Sequence, residues 1–253
     1  MTFIGSELAG KCVVVTGAGG GIGAATANSF AELGARVLAI DIDRRNLETL
    51  IAKLPGSGHD YLPFDLSEIK NQYIIFEKAE EMGGFYSLVH CAAVLIRKDS
   101  VDEITEQDWD TQLDINLKAS FFLNRTAKDA FKKVNRAGSI VNFASQGWWT
   151  GGFGGSVVYA ASKGGIVSMT RGLSRTFIND HVRVNVIAPG GVDTKMMTET
   201  QTKAQLDSFI EMIPIGRLAD PREIAQVAVF LASESASYVT GALINVSGGQ
   251  LMY

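Results

Sequence analysis

Short runs of β-branched and aliphatic residues alternate along the chain with longer amphipathic segments. Seven such runs cover residues 13–15, 37–40, 61–62, 88–90, 140–143, 182–187 and 243–246. Runs this apolar are typical of strands that are buried on both faces, as in a parallel sheet. Because helical patterns separate them, the alternation predicts an α/β fold with a doubly wound, parallel, seven-stranded sheet and helices on both faces.

The helical patterns cover residues 22–33, 44–54, 67–82, 105–133 and 157–178, and a further helix begins near residue 220. Thr105 can cap the fourth of these helices, with Asp108 three positions later. Asp220 can cap the last, with Pro221 at its first position and Glu223 completing a capping box. The chain has no linker, repeat or low-complexity segment, so we expect residues 1–253 to form a single domain.

The composition excludes several classes of protein. With 253 residues, 46% hydrophobic and 20% charged, the chain is typical of a globular domain and not of a disordered one. A net charge of −4 argues against a nucleic-acid binder. Neither a signal peptide nor a membrane span of roughly 20 apolar residues can be found. The two cysteines, Cys12 and Cys91, exclude a disulfide framework, and we expect both to be buried in a cytoplasmic protein.

A glycine-rich segment directly follows the first predicted strand and precedes a predicted helix. It reads Thr16-Gly17-Ala18-Gly19-Gly20-Gly21-Ile22-Gly23. Glycines let the backbone approach a diphosphate closely, and the N-terminus of the following helix offers free N–H groups to the phosphates. Such a loop alone can be an ordinary tight turn. Its position between strand and helix predicts the dinucleotide site of a Rossmann fold.

Asp41 ends the second predicted strand, near the spacing expected for an acid that binds the adenosine ribose. A carboxylate there can accept hydrogen bonds from both ribose hydroxyls and would repel a 2′-phosphate, so the sequence predicts NAD in preference to NADP. The alternative is a solvated aspartate at a strand end. Arg44 and Arg45 lie close by and could bind a 2′-phosphate, but we expect them to face solvent on the next helix.

Four polar residues form a candidate catalytic set. Tyr159 and Lys163 lie one helical turn apart and so share a helix face. A neighbouring ammonium lowers the pKa of a tyrosine, whose ordinary value near 10 is too high for a general base. Ser145 follows a strand at the carboxyl edge of the predicted sheet, where ligands bind. Asn116 lies in an apolar helical stretch, where its side chain needs a buried partner or a water molecule.

Together these motifs resemble those of the classical short-chain dehydrogenase/reductase (SDR) family, over nearly the whole chain. The matching residues are the glycine loop, Asp41, the adenine-binding dipeptide Asp65-Leu66, the tetrad Asn116, Ser145, Tyr159 and Lys163, the nicotinamide segment with Pro189, Gly190, Val192 and Thr194, and the C-terminal motifs at 238–241 and 248–249. The resemblance implies an NAD-dependent oxidoreductase. It would transfer a hydride between nicotinamide C4 and a secondary alcohol or ketone, such as a sugar, polyol, cyclic alcohol or hydroxy acid.

The resemblance also implies a role for each member of the tetrad. Tyr159 would remove the alcohol proton during oxidation or donate it during reduction. Lys163 would hold the nicotinamide ribose and depress the pKa of Tyr159. Ser145 would bind the substrate oxygen, and Asn116 would hold a water molecule that links Lys163 to solvent.

One segment departs from the family pattern. After the fourth strand the family usually has Asn-Asn-Ala-Gly, where this chain has His90-Cys91-Ala92-Ala93. We expect Cys91, Ala92 and Ala93 to contact the cofactor and activity to survive, although Cys91 removes hydrogen bonds that normally join the central strands. His90 is interpreted as a residue at a strand end and not as a metal ligand.

The sequence defines the substrate pocket less well. Trp148, Trp149 and Phe153 follow the catalytic strand, where they could form an aromatic wall for a ring or a sugar, or pack at a subunit interface. The resemblance makes residues 194–212 a mobile lid, and we expect Met196 to contact the substrate.

The remaining expectations concern metals, partners and alternative functions. The three histidines are scattered, so we predict no catalytic metal. The resemblance implies a homotetramer or homodimer, and we expect no nucleic-acid or membrane partner. A 3-oxoacyl-acyl-carrier-protein reductase that uses NAD(P)H stays open as the second function. A non-catalytic NAD sensor, or a dehydratase or epimerase on the same fold, are further alternatives.

Overall fold

The computed structural model describes residues 4–152, 154–199 and 201–252. Within these residues seven parallel strands form one sheet in the order β3-β2-β1-β4-β5-β6-β7, which confirms the predicted fold class. The strands are β1 (Cys12–Thr16), β2 (Arg36–Asp41), β3 (Asp60–Pro63), β4 (Phe85–His90), β5 (Gly138–Phe143), β6 (Val182–Pro189) and β7 (Leu243–Val246).

Helices connect the strands and cover both faces of the sheet. They are α1 (Gly21–Glu32), α2 (Arg44–Ile51), α3 (Tyr73–Glu81), α4 (Glu106–Leu113), α5 (Ala119–Lys133), α6 (Gly147–Thr150), α7 (Val157–Phe177), α8 (Lys195–Thr198), α9 (Lys203–Glu211) and α10 (Pro221–Ala232). The helix N-termini at Thr105 and Asp220 both carry the predicted capping boxes. No helix of the described part of the chain is long and apolar enough to cross a membrane.

The core consists of two main layers, one on each face of the sheet. In β1, Val13 and Val15 point into the cluster that contains α1 and α10, while Val14 points into the cluster that contains α3 and α5. Successive strand residues face opposite sides, so both layers need apolar side chains from the same strand. This requirement explains the continuous apolar runs that the sequence displays.

Three details differ from the expectations. The helix predicted over 67–82 begins only at Tyr73, after a short 3-10 turn at Ile69–Asn71. The helix predicted over 105–133 contains a π-helical turn at Asp114–Lys118, in which the Ala119 amide donates to the Asp114 carbonyl. Cys12 is fully buried as predicted, whereas Cys91 is only partly buried because it borders a cavity.

The parallel arrangement brings the carboxyl ends of the central strands to one edge of the sheet. There the Cys91 amide donates to the Thr16 carbonyl at 3.2 Å and the Ala144 amide donates to the Ile187 carbonyl at 2.8 Å. These bonds continue the ladder beyond the strands, so the loops after β1, β4, β5 and β6 begin side by side. Ligand sites in open α/β sheets form at this edge.

Candidate active site

A cavity of about 1200 Å³ lies along the carboxyl edge of the sheet. A volume of this order suits a dinucleotide together with a small substrate. Most of the predicted site residues line it: Gly17, Gly19, Gly21, Ile22, Gly23, Asp41, Asp65, Leu66, Cys91, Ala92, Ala93, Ser145, Tyr159, Lys163, Pro189, Gly190, Val192, Thr194 and Met196.

The glycine loop is packed too closely for side chains at its key positions. Gly17 has a positive φ of 66°, and a Cβ there would lie 2.7 Å from the Ala92 amide nitrogen. A Cβ on Gly23 would overlap the Gly17 carbonyl oxygen. No side chain caps α1 at Gly20, so the N–H groups of its first turn are available at the cavity wall. The loop therefore has the shape and polarity that a diphosphate needs.

Asp41 is held at the other side of the glycine loop. Its Oδ2 accepts a hydrogen bond from the Gly19 amide at 2.9 Å, and its Oδ1 accepts one from the Asp43 amide at 3.0 Å. Arg44 and Arg45 are exposed at the start of α2, as predicted, and Arg44 forms an ion pair with Glu48. A fixed carboxylate thus faces the cavity, while the nearby arginines lie on a solvated helix.

Tyr159, Lys163 and Ser145 meet at the far wall of the cavity. The Lys163 ammonium is buried, donates to the Phe143 carbonyl oxygen at 2.8 Å, and lies 5.5 Å from the centroid of the Tyr159 ring. The side chains of Tyr159 and Ser145 both line this wall. The Gly147 amide donates to Ser145 Oγ at 3.2 Å, which orients the serine at the start of α6.

Burial dominates the electrostatics of this wall. It raises the pKa of Tyr159 to about 12, although Ser145 and the positive charge of Arg97 act in the opposite direction. Burial also lowers the pKa of Lys163 to about 8. Burial outweighs the charges near the phenol, and the ammonium donates to the Phe143 carbonyl. That Lys163 depresses the pKa of Tyr159 therefore stays a prediction.

Asn116 belongs to a layer behind the cavity. It is 1% exposed and, among the described residues, is not part of the cavity lining. Its side-chain amide donates to the Val94 carbonyl and accepts from the Val94 amide, both at 2.8 Å, and it also donates to Ser162 Oγ at 3.2 Å. Asn116 therefore has the buried partners that its sequence position requires.

Gln112 performs a similar task one turn earlier. Its side-chain oxygen accepts a hydrogen bond from the Ile96 amide at 3.1 Å. The side-chain amides of Gln112 and Asn116 thus supply residues 94–96 with backbone hydrogen bonds of the kind that a neighbouring strand would make. Sequence reasoning missed Gln112, although its apolar neighbours Leu113 and Ile115 could have indicated a buried position.

The substrate side of the cavity contains residues that the sequence did not single out. Arg97 lines the cavity, and its Nη2 donates to the Met196 carbonyl oxygen at 3.4 Å, which connects the loop after β4 with α8. Met196 lines the cavity, and its contact with the substrate stays a prediction. The predicted lid, residues 194–212, contains α8 and α9, and its mobility stays a prediction.

The aromatic residues after Ser145 lie elsewhere. Within the described residues the cavity lining includes neither Trp148 nor Trp149. Trp148 packs against the cluster around Ile166 and Val167, and Trp149, whose ring centroid is 5.2 Å away, is 58% exposed. Among the residues that the structure describes, they therefore form no wall of this cavity, and their packing at a subunit interface stays a prediction. Phe153 lies outside the described residues.

The comparisons with known proteins agree with this site. A family model described as enoyl-(acyl carrier protein) reductase matches residues 17–250. The 3-oxoacyl-acyl-carrier-protein reductase of Thermotoga maritima is 37% identical over 250 residues, 96% of this chain and 98% of the relative. The D-threitol dehydrogenase of Mycolicibacterium smegmatis is 37% identical over 246 residues, 96% of this chain and 94% of the relative.

A solved structure from Brucella melitensis shares the fold over the full length of both chains. It is described as a short-chain dehydrogenase/reductase of the glucose/ribitol dehydrogenase type, is 35% identical and superimposes with a TM-score of 0.90 over 100% of each chain. Relatives of this kind use nicotinamide cofactors to interconvert alcohols and ketones. Since sheet order, glycine loop and relatives agree over nearly the whole length, the chain belongs to the short-chain dehydrogenase/reductase family and is an oxidoreductase acting on CH–OH groups.

Proposed function

We propose that this protein is an NAD-dependent dehydrogenase of a small secondary alcohol, such as a sugar, polyol, cyclic alcohol or hydroxy acid. The observation that carries the proposal is that Tyr159, Ser145 and Lys163 share one cavity with the carboxylate of Asp41. The first three residues supply proton-transfer chemistry, and Asp41 supplies a cofactor preference. The lining of the cavity includes residues for both ends of such a cofactor, from Asp41 to Tyr159.

The residues of the cavity fit NAD. The glycine loop leaves backbone amides where a diphosphate would bind, and added Cβ atoms would fill that space. Each oxygen of Asp41 accepts one backbone hydrogen bond, so each keeps a lone pair for a ribose hydroxyl. Its negative charge opposes a 2′-phosphate. When bound, the nicotinamide supplies or accepts the hydride at C4.

The chain's own residues handle the proton. Ser145 would hydrogen-bond the substrate oxygen, and Tyr159 would exchange a proton with that oxygen. With a pKa near 12, Tyr159 is a phenol at neutral pH and so is ready to donate to a ketone oxygen. For alcohol oxidation the phenol must lose its proton, and the buried Lys163 ammonium favours the resulting anion. Asn116 would place the relay water from behind the cavity.

The proposal also includes an oligomeric state, which is supported by exposed apolar side chains. Trp109 on α4, Phe121 on α5 and Val157 on α7 are exposed large apolar side chains. Exposed apolar residues on neighbouring helices are typical of subunit interfaces. We expect a homotetramer or homodimer of single-domain subunits, and light scattering after gel filtration measures which of them forms.

A second candidate is a 3-oxoacyl-acyl-carrier-protein reductase. It is favoured by the description of the matching family model and by the Thermotoga relative. The tetrad would then act in the direction of ketone reduction. Asp41 argues against the NADPH that such enzymes usually prefer.

The test measures NADH formation from NAD with sugars, polyols, hydroxy acids, cyclic alcohols and steroids. In the reverse direction it measures NADH and NADPH oxidation with a 3-oxoacyl thioester. Tyr159→Phe is the control, because it removes the acid–base hydroxyl and keeps the ring that packs beside Lys163. We expect turnover of at least one alcohol to be lost in Tyr159→Phe while NADH binding is retained.

Three results would change the proposal. Faster turnover of the thioester than of any alcohol would establish the second candidate. Equal loss of NADH binding and turnover in Tyr159→Phe would remove the assigned role of Tyr159. Tight NADH binding without turnover of any compound in either direction would overturn the dehydrogenase proposal and favour the sensing function.

A further inference from the structure

A row of buried side chains runs behind the cavity from the end of β1 to the π-helical turn. Thr16 Oγ1 lies 2.7 Å from His90 Nδ1, and His90 Nε2 lies 2.6 Å from Ser120 Oγ. Ser120 Oγ in turn donates to the Asn116 carbonyl oxygen at 2.6 Å. The three side chains are at most 3% exposed, so water cannot replace any of these bonds.

The two ends of the row fix the direction of every hydrogen bond in it. At one end the Ala92 amide can only donate, and it donates to Thr16 Oγ1 at 3.3 Å. At the other end the Asn116 carbonyl can only accept, so the Ser120 proton points to it. Ser120 Oγ must then accept from His90 Nε2–H, and His90 Nδ1 must accept the Thr16 proton. A neutral imidazole that is protonated on Nε2 is the tautomer that satisfies the whole row.

The surroundings keep His90 neutral. Burial and the positive charge of Lys163 lower its pKa to about 3. A protonated imidazole would also leave two donors facing the Thr16 and Ser120 hydroxyls, and it would place a second cation near Lys163. The hydrogen-bond pattern and the electrostatics therefore require the same protonation state.

We propose that His90 is a positioning residue for catalysis, which holds Ser120 against the Asn116 carbonyl and thereby fixes Asn116. The side chain of Asn116 holds Val94 and is bonded to Ser162, whose hydroxyl donates to the Tyr159 carbonyl. The inference rests on the proposed dehydrogenase function.

The proposal explains why histidine stands where the family usually has asparagine. The imidazole has two ring nitrogens, so it can contact Thr16 with Nδ1 and Ser120 with Nε2 at the same time. The proposal distinguishes the Ser120 contact, which reaches the tetrad, from the Thr16 contact, which joins two strands.

Two conservative variants separate these contacts. The amide of asparagine stands as far along the side chain as Nδ1, so His90→Asn keeps the contact with Thr16 and loses the one with Ser120. The amide of glutamine stands as far as Nε2, so His90→Gln keeps the contact with Ser120. If His90 acts through Ser120 and Asn116, His90→Asn lowers kcat about tenfold with KM for NAD nearly unchanged, while His90→Gln stays within about threefold of wild type.

Ser120→Ala provides the matched variant at the other partner. It should lower kcat as much as His90→Asn does, and the double variant should lose no more than either single variant, because both changes break the same link. The melting temperature of each variant monitors the fold. A kcat that is higher in His90→Asn than in His90→Gln, or losses that multiply in the double variant, would overturn the proposal in favour of a purely structural tie between strands.

A third readout does not depend on turnover. The ¹⁵N shifts of labelled histidine, with His90 assigned by its disappearance in His90→Gln, report the tautomer directly. We expect His90 to remain the neutral Nε2–H form from pH 8 down to about pH 5. An Nδ1–H form or a cation in this range would overturn the inference. The expected tautomer together with a wild type that turns over no alcohol or ketone would overturn both the positioning role and the proposed function, whereas a wrong tautomer in an active enzyme would overturn the positioning role alone.

Discussion

The Lys163 ammonium lies over the Tyr159 ring, 5.5 Å from its centroid. Cations are attracted to aromatic faces within about 6 Å of the centroid. The contact holds the two side chains together, one helical turn apart on α7, while burial pushes their pKa values in opposite directions. The acid–base behaviour of the enzyme should follow from this arrangement.

Ketone reduction should slow on the alkaline side because of Lys163. Burial lowers its pKa to about 8, whereas Tyr159, with a pKa near 12, stays protonated well above that pH. We expect kcat/KM for reduction to fall above about pH 8, as the ammonium that supports proton donation is lost. Initial rates of NADH oxidation across the pH range measure this. Lys163→Arg keeps its charge and should remove the fall, and a wild-type profile that stays flat to pH 10 would contradict the assignment.

Asp41 should determine cofactor preference. Asp41→Ala removes the negative charge that opposes a 2′-phosphate and the acceptor of the Gly19 amide. We expect kcat/KM with NAD to fall about tenfold or more, and the ratio of NAD to NADP efficiency to fall further. Asp43→Asn is the matched control, since it removes a neighbouring carboxylate charge at the cap of α2 and leaves Asp41 in place. An unchanged ratio in Asp41→Ala would place cofactor selection elsewhere.

His90 should make the protein less stable in acid. Its pKa is lowered from 6.5 to about 3, so between these values the unfolded chain binds a proton that the folded chain does not. The stabilisation is complete above pH 6.5 and is lost as the pH falls toward 3. The free energy of unfolding should thereby fall by about 1.4 kcal/mol per pH unit from this residue alone.

Urea denaturation of wild type and His90→Gln between about pH 4.5 and pH 7.5 isolates that contribution. The free energy of unfolding of His90→Gln should fall less steeply with falling pH than that of wild type. The two slopes should differ by about 1.4 kcal/mol per pH unit, the contribution of His90. His181→Asn is the control, because His181 adopts a left-handed conformation after α7 that asparagine tolerates well. Parallel curves for wild type and His90→Gln would show that the folded imidazole titrates normally.

Arg97 should favour the phenolate of Tyr159. Its positive charge acts to lower the pKa of Tyr159, and its guanidinium connects the loop after β4 with α8. We expect Arg97→Ala to slow alcohol oxidation at neutral pH by about threefold, and ketone reduction by less, because oxidation needs the anion. Arg97→Lys should restore the ratio of the two rates. Equal slowing of both directions in Arg97→Ala would assign the residue to loop geometry alone.

The fold could be predicted because its main physical requirement is visible in the sequence. Strand β1 is buried along its whole length and is therefore mostly apolar, and glycine must stand at position 17, where the loop after β1 touches Ala92. The π-helical turn could not be predicted in this way. It changes hydrogen-bond spacing by one residue and leaves the apolar pattern of the helix almost intact.

The residues of the site could be predicted from the sequence, but their pKa values could not. Tyr159 and Lys163 are placed together by helical spacing, but that spacing contains no information on the burial that sets their pKa values. The row from Thr16 through His90 to Ser120 joins three segments that are 74 and 30 residues apart. Such contacts depend on how β1, β4 and α5 pack together in the folded chain, and no local sequence pattern predicts that packing.

The π-helical turn at Asp114–Lys118 makes the length of a helix a functional property. Gln112 lies before it and Asn116 within it, and together they hold residues 94–96. Deleting one residue between them would leave a regular α-helix, because a π-turn accommodates one extra residue, but it would shift the side chain of Asn116 relative to that of Gln112. Such a chain would retain all four residues of the tetrad and change how Gln112 and Asn116 together hold residues 94–96.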